Sequence, residues 1–149
     1  MSAVLVEAGP DKGAVWHFGE PVKEQRALEA GTAWADLSHH NIIAVSGVDR
    51  LKWLHDLTTQ FVSDLQPGVW MANMILDAKG HVEYQFNVVD DGTTTFLVLD
   101  PGYSEQLIEY LTKMKFMLRV DVKDASSEFA VLRAPGAPTE IGGPFALVP

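Results

Sequence analysis

No cysteine occurs among the 149 residues. That excludes disulfides and thiolate metal sites from this chain and agrees with a cytoplasmic home. Basic residues are scarce: 11 Lys and Arg stand against 20 Asp and Glu, a net charge of −9. Such a surface repels phosphate backbones, so no direct nucleic-acid partner is expected. The closest basic group, Lys113, Lys115 and Arg119, reads as a helix C-terminus, where cations suit the dipole. Long apolar runs are missing too, so no membrane span and no membrane partner is expected. The start, Met1–Asp11, lacks the basic and apolar segments of a signal peptide. What is present is ordinary globular composition, 47% hydrophobic and 21% charged, at a length that supports a compact domain with a real core.

The chain punctuates itself with glycine and proline. Residues 1–13 read as a flexible arm and 14–133 as a folded domain. Residues 134–149, which hold Pro135, Pro138, Pro144 and Pro149 with three glycines, read as a linker. A domain ending in a linker predicts that a longer protein continues beyond it. Within 14–133, a short strand is expected at Ala14–Phe18 and a helix over Val22–Ala30, opened by Pro21 and stopped by Gly31. Asn41–Ser46 is β-branched and apolar, hence a strand. Val48, Leu51, Leu54 and Leu57 then repeat at helical spacing, with Trp53 at the stripe's edge and Arg50 and Lys52 on the other side. Strands follow at Val69–Leu76, His81–Val89 and Thr93–Leu99, separated by turns at Asp77–Gly80 and Asp90–Gly92. Ser104 is placed to cap a helix over Glu105–Lys115 whose apolar stripe is Leu107, Ile108, Leu111 and Met114. Short strands at Arg119–Lys123 and Glu128–Leu132 complete the series. This order predicts an α+β fold: a mainly antiparallel sheet with two main helices on one face, in a split βαβ (ferredoxin-like) layout with extra strands.

The segment His81–Val89 is the most informative for chemistry. Alternation sends Val82, Tyr84, Phe86 and Val88 to one face and His81, Glu83, Gln85 and Asn87 to the other. A polar sheet face is commonly just wet. Amide and carboxylate groups at two-residue spacing also suit the edge of a flat heterocycle. The five histidines offer no H-x-x-x-H or H-E-x-x-H spacing. His39 and His40 would point apart on an extended backbone, so no metal site is expected. There is no nucleotide-binding glycine loop and no nucleophile-elbow motif. Trp53 and Trp70 read as core or interface anchors rather than as stacking platforms. Asp36 reads as a cap for local backbone groups.

Five motifs, in order and at matching spacing, carry a resemblance. They are Ala35-Asp36-Leu37-Ser38-His39; Ile42 through Arg50, a strand followed by Gly47 and Asp49-Arg50; Trp53 through Gln60, ending Leu57-Thr58-Thr59-Gln60; Leu76-Asp77-Ala78-Lys79-Gly80-His81-Val82; and Leu111 through Phe116. Together they resemble the N-terminal portion of YgfZ-type proteins, a branch of the glycine-cleavage T-protein (aminomethyltransferase) superfamily.

The resemblance implies the folate-binding fold, with a tetrahydrofolate or a one-carbon derivative in a cavity shared with later domains. True aminomethyltransferases carry an acidic pair in the hairpin region where this chain has Tyr84 and Gln85. A neutral amide cannot take up charge as a carboxylate does, and Glu83 lies one position off. The resemblance therefore implies a receptor without aminomethyl transfer, and no catalytic residue is assigned. It implies a cytoplasmic role supporting iron–sulfur cluster assembly or repair and dependent tRNA modification, with iron–sulfur assembly proteins and the rest of the full-length chain as partners. The branch also carries a cysteine-bearing K-G-C-Y-x-G-Q-E-like motif further along, which these residues lack. Carried over to this sequence, the folate-site residues are Gln85, Asn87, Asp100, His39, His40 and Glu83. Two other readings stay open: a folate-dependent aminomethyltransferase or demethylating enzyme using Glu83 as its acid, and an interaction domain that takes no small ligand.

Overall fold

A computed structural model describes residues 2–133 and 145–149. The elements run β1 (Val4–Leu5), β2 (Val15–His17), α1 (Pro21–Glu29), β3 (Ala35–Asp36), β4 (Asn41–Ser46), α2 (Arg50–Leu57), β5 (Met71–Leu76), β6 (Val82–Asp90), β7 (Thr94–Leu99), α3 (Ser104–Met114), β8 (Asp121–Asp124), β9 (Ala130–Arg133) and β10 (Phe145–Val148). They divide into two compact units, Met1–His40 with Ser127–Pro149, and Asn41–Ser126.

The Asn41–Ser126 unit is a five-stranded sheet in the order β5-β6-β7-β4-β8, antiparallel throughout. β4 and β6 are parallel with β7 between them, so β4-α2-β6 and β7-α3-β8 form the expected split βαβ arrangement, with β5 as the extra edge strand. Ile43, Val45, Ile75, Phe86, Val88, Leu97 and Leu99 present one sheet face to Trp53 and Leu54 of α2 and Leu107 and Leu111 of α3. Both helices therefore cover the same face, as the apolar spacing required. Each fully buried aliphatic side chain here contributes roughly 1.5–3 kcal/mol of transfer free energy.

One expectation for α2 is corrected. Val48, expected in the helical stripe, lies outside the helix and is 72% exposed; Trp53, in the helix, is packed in the core and 4% exposed. Trp53 Nε1 donates to the Met114 carbonyl at 3.1 Å, tying α2 to the open end of α3. Arg50, expected on the side away from the stripe, has a side chain only 11% exposed. Its guanidinium makes a two-pronged pair with Asp90, at 2.8 and 2.9 Å, and Asp90 also accepts from the Thr95 hydroxyl and the Gly92 amide. Burial pushes the Asp90 carboxyl up, but the Arg50, Thr95 and Gly92 hydrogen bonds outweigh it and hold the group below its ordinary range. Gly47, at φ 113°, opens the turn before α2, and a Cβ there would collide with the Arg119 backbone. Asp49 accepts from the Arg119 amide at 2.9 Å and from its guanidinium.

The Leu57–Gln60 motif has a structural explanation. Asn73 on β5 is 2% exposed. Its amide donates to Thr58 Oγ1 at 2.8 Å, and its carbonyl accepts from the Gln60 amide at 3.1 Å. One buried side chain thus satisfies the backbone and hydroxyls of the irregular exit from α2.

The other unit holds β1 paired with β2, a three-stranded β10-β9-β3 sheet, and α1. The arm expected over residues 1–13 contains β1, whose Val4 pairs with His17. Phe145–Val148, expected as linker, is a strand along β9; residues 134–144 of that linker lie outside the described residues. Pro21 opens α1 as expected, and Glu24 accepts from the Phe18 and Glu20 amides. Those bonds hold the Glu24 carboxyl below its usual value. Ser104 does not cap α3: Tyr103 is the N-cap, with no side-chain hydrogen bond.

Candidate functional site

Within the Asn41–Ser126 unit a hollow of about 200 Å³ is lined by Val82, Glu83, Tyr84, Gln85, Leu99, Asp100 and Tyr103. Its origin is a mismatch in strand length. β6 pairs with β7 only from Asn87 to Asp90, while its other edge pairs with β5 as far as Val82. The first half of β6 therefore runs on past the end of β7. β7 stops because Asp100-Pro101-Gly102 turns the chain away: proline supplies no amide to a ladder, and Gly102 adopts φ 93°. The Gly102 amide donates to Asn41 Oδ1 at 2.9 Å, which pins the turn to the neighbouring strand. Asp100 and Tyr103 are thereby set across from the unaccompanied stretch of β6.

Alternation along β6 holds. Phe86 and Val88 are buried in the core and Tyr84 packs against it, while Glu83 and Gln85 are exposed and Asn87 half-buried. The pattern breaks at the start, where Val82 is 53% exposed beside a register shift between Ile75 and Leu76. His81 lies outside the strand and contacts Asp77. Tyr84 sits 6.0 Å from the Tyr110 ring. Burial, then Glu83, Glu109 and Tyr110, push its phenol up. It thus stays a neutral hydroxyl across the physiological range.

Of the sequence-derived site residues, the structure brings Glu83, Gln85 and Asp100 together in one hollow. Asn87 lies further along β6, opposite Val98 and Ala72, and is not among the lining residues. His39 and His40 belong to the other unit, where Asp11 is their neighbour. Sequence reasoning missed Tyr103 and Leu99; the Pro101-Gly102 turn was the available signal that the strand ended beside β6. Asp36 accepts from the Ser38 amide at 2.9 Å, the local capping role its position suggested.

The hollow mixes two carboxylates, a primary amide and aromatic rings. Carboxylates accept from ring N–H and exocyclic amines, and an amide both donates and accepts. Its volume is below the roughly 300–1,000 Å³ of sites that enclose whole drug-sized ligands. It therefore suits one flat ring system, not an extended molecule.

Residues 3–140 match the GCVT N-terminal domain family. The chain belongs to that family. Its fold is similar to the crystal structure of glycine cleavage system aminomethyltransferase T from Bartonella henselae, with a TM-score of 0.68 and 18% identity. The match covers 87% of this chain and 36% of that one, so the chain spans about a third of that enzyme's length. No curated protein matches the chain. At this identity the likeness shows the fold alone. No helix among the described residues is long and apolar enough to cross a membrane.

Proposed function

We propose that this GCVT N-terminal domain is a tetrahydrofolate-binding module that receives the pteridine head in the hollow between β6 and the end of β7. The observation that carries the reading is that Glu83, Gln85 and Asp100 all line one hollow of about 200 Å³. A pterin edge alternates donors and acceptors, and this donor–acceptor set complements it. Folate's benzoyl-glutamate tail would lie outside so small a space, consistent with a cavity that other parts of a longer protein complete. Bound folate would supply a one-carbon carrier; the residues here bind and orient it. Calorimetric titration of the protein with tetrahydrofolate tests this. Gln85→Ala is expected to weaken binding about tenfold, and unchanged affinity would remove Gln85 from the site.

The five motifs and the neutral Tyr84-Gln85 pair support the YgfZ-type branch, and with it a role in sustaining iron–sulfur enzymes and dependent tRNA modification. On that reading, cells lacking the protein lose iron–sulfur enzyme activity, which the wild-type chain restores and Gln85→Ala does not. Equal rescue by both would separate the role from the hollow.

A second reading is favoured by one observation: Glu83 lines the same hollow, so the absence of an acid at positions 84 and 85 does not leave the space without carboxylates. As an aminomethyltransferase, the protein would pass the methylene carbon of an aminomethyl group to two folate nitrogens, whose two protons leave on the released ammonia and on the carrier atom. As a demethylating enzyme, it would move a methyl group from an amine to one folate nitrogen, whose proton passes to the freed amine. Glu83 would handle charge at the reacting nitrogen. Glu83→Gln then abolishes turnover while folate still binds. Turnover at the wild-type rate by that variant would dispose of the enzyme reading.

A further inference from the structure

The imidazoles of His39 and His40, expected to diverge on an extended backbone, converge because the chain turns there. Asp36 holds the Ser38 amide, and the His40 amide donates to the Leu37 carbonyl at 2.9 Å. The stem of the turn is fixed in turn: Ala35 and Asp36 pair with β9, and the Leu37 amide donates to the Val131 carbonyl at 2.8 Å. The two rings stand edge to face with centroids 4.6 Å apart. A second hydrogen-bonded loop, the hairpin tip joining β1 to β2, presents Asp11 to them. Its Gly13 amide donates to Val6 and its Ala14 amide to the Asp11 carbonyl, both at 2.9 Å. Asp11 Oδ1 lies 3.0 Å from His39 Nε2. One ligand atom from each of Asp11, His39 and His40 falls within 4.8 Å of the others.

We propose that Asp11, His39 and His40 form a binding site for a divalent transition ion of the zinc class. Two imidazoles and one carboxylate are a borderline donor set. They suit zinc, nickel or copper, and they supply too few oxygens for calcium or magnesium. Ligand atoms around a tetrahedral zinc at about 2.0–2.1 Å sit roughly 3.3 Å apart. The His39–Asp11 pair is already near that spacing, and no pair has to close by more than about 1.5 Å, within the reach of side-chain rotation in two anchored turns. The His39 side chain is 16% exposed and that of Asp11 59%, so the site is open on one side. Three protein ligands with an open position leave room for water or for a donor from a partner molecule. The plainer alternative is that the contact is only a His–Asp hydrogen bond holding the hairpin tip to the turn.

The two are separated by titrating the chelator-treated chain with Zn²⁺ by calorimetry and with Co²⁺ by visible absorption. One equivalent of Co²⁺ is expected to give the intense d–d bands of a low-coordinate site. Outer-sphere losses alone cost about 10–100-fold in metal affinity, so His39→Ala and His40→Ala should each weaken Zn²⁺ by at least that, and Asp11→Asn measurably. His81→Ala, which disrupts the separate His81–Asp77 pair, is expected to leave affinity unchanged. Far-UV circular dichroism of each variant checks that the fold is retained. The proposal is overturned if Zn²⁺ does not bind, if Co²⁺ stays octahedral and pale, or if the double variant His39→Ala/His40→Ala binds as the wild type does.

Discussion

The two units of the chain are held by different forces. The Asn41–Ser126 unit has a continuous core in which Leu107, Leu111, Ile43, Val45 and Leu97 are wholly buried. The Met1–His40 and Ser127–Pro149 unit relies on short ladders and capped turns, and α1 buries none of its residues. Among the described residues of that unit, Ala14 and Val131 are the buried apolar side chains. A core-built unit resists local change and fails cooperatively, whereas a unit built from turns opens piecemeal. The proposed sites follow the same division. The ring-binding hollow stands on rigid strands, and the metal ligands stand on turns that an ion would tie together.

The largest expected effect comes from breaking the buried pair in the core-built unit. Arg50→Met leaves the Asp90 carboxylate, 1% exposed, without its cation. It should cost about 3–5 kcal/mol in urea unfolding; a loss below about 1 kcal/mol would show that Asp90 is satisfied without Arg50. Next is Gly47→Ala. It combines a strained positive φ with a collision against the Arg119 backbone, and should cost about 2–4 kcal/mol. A neutral result would mean that the turn rearranges freely.

Acid sharpens the comparison further. The Asp90 carboxyl is held below its ordinary value of 3.8. A depressed folded pKa means that the unfolded chain takes up protons first as pH falls. The stabilisation is therefore complete above roughly pH 5 and is lost progressively below about pH 4. Arg50→Met should shrink that acid limb, and an unaltered limb would assign it to other carboxylates. The smallest effect is in the turn-built unit. Glu24→Gln weakens the bonds to the Phe18 and Glu20 amides. Hydrogen exchange should quicken at those two amides while the β4 amides keep their protection. A global rather than local change would refute the division.

Legibility in the sequence followed the same line. Asn41–Ser46 and the α3 stripe were readable because burial on a sheet face or helix face imposes a period. β6 was readable for the same reason from Glu83 to Val88, but not at Val82, which is exposed. β1, β3 and β10 were not: β1 and β3 span two residues each, too short for any period, and β10 follows a proline-rich stretch. The pairing of Arg50 was not legible because its partner Asp90 is 40 positions away. The closeness of the His39 and His40 rings was not legible because the chain turns after Asp36 instead of running extended. The hollow was half legible. Gln85, Glu83 and Asp100 could be named from alternation and from the resemblance, but only the differing ends of β6 and β7 show that they meet.

The most direct test of the folate reading is a two-dimensional amide spectrum of the protein titrated with tetrahydrofolate. The amides of Glu83, Gln85, Asp100 and Tyr103 should shift together along one saturable curve while those of β8 stay still. Saturable binding that moves β8 and leaves those four amides unmoved, or no shift at any concentration, would contradict it.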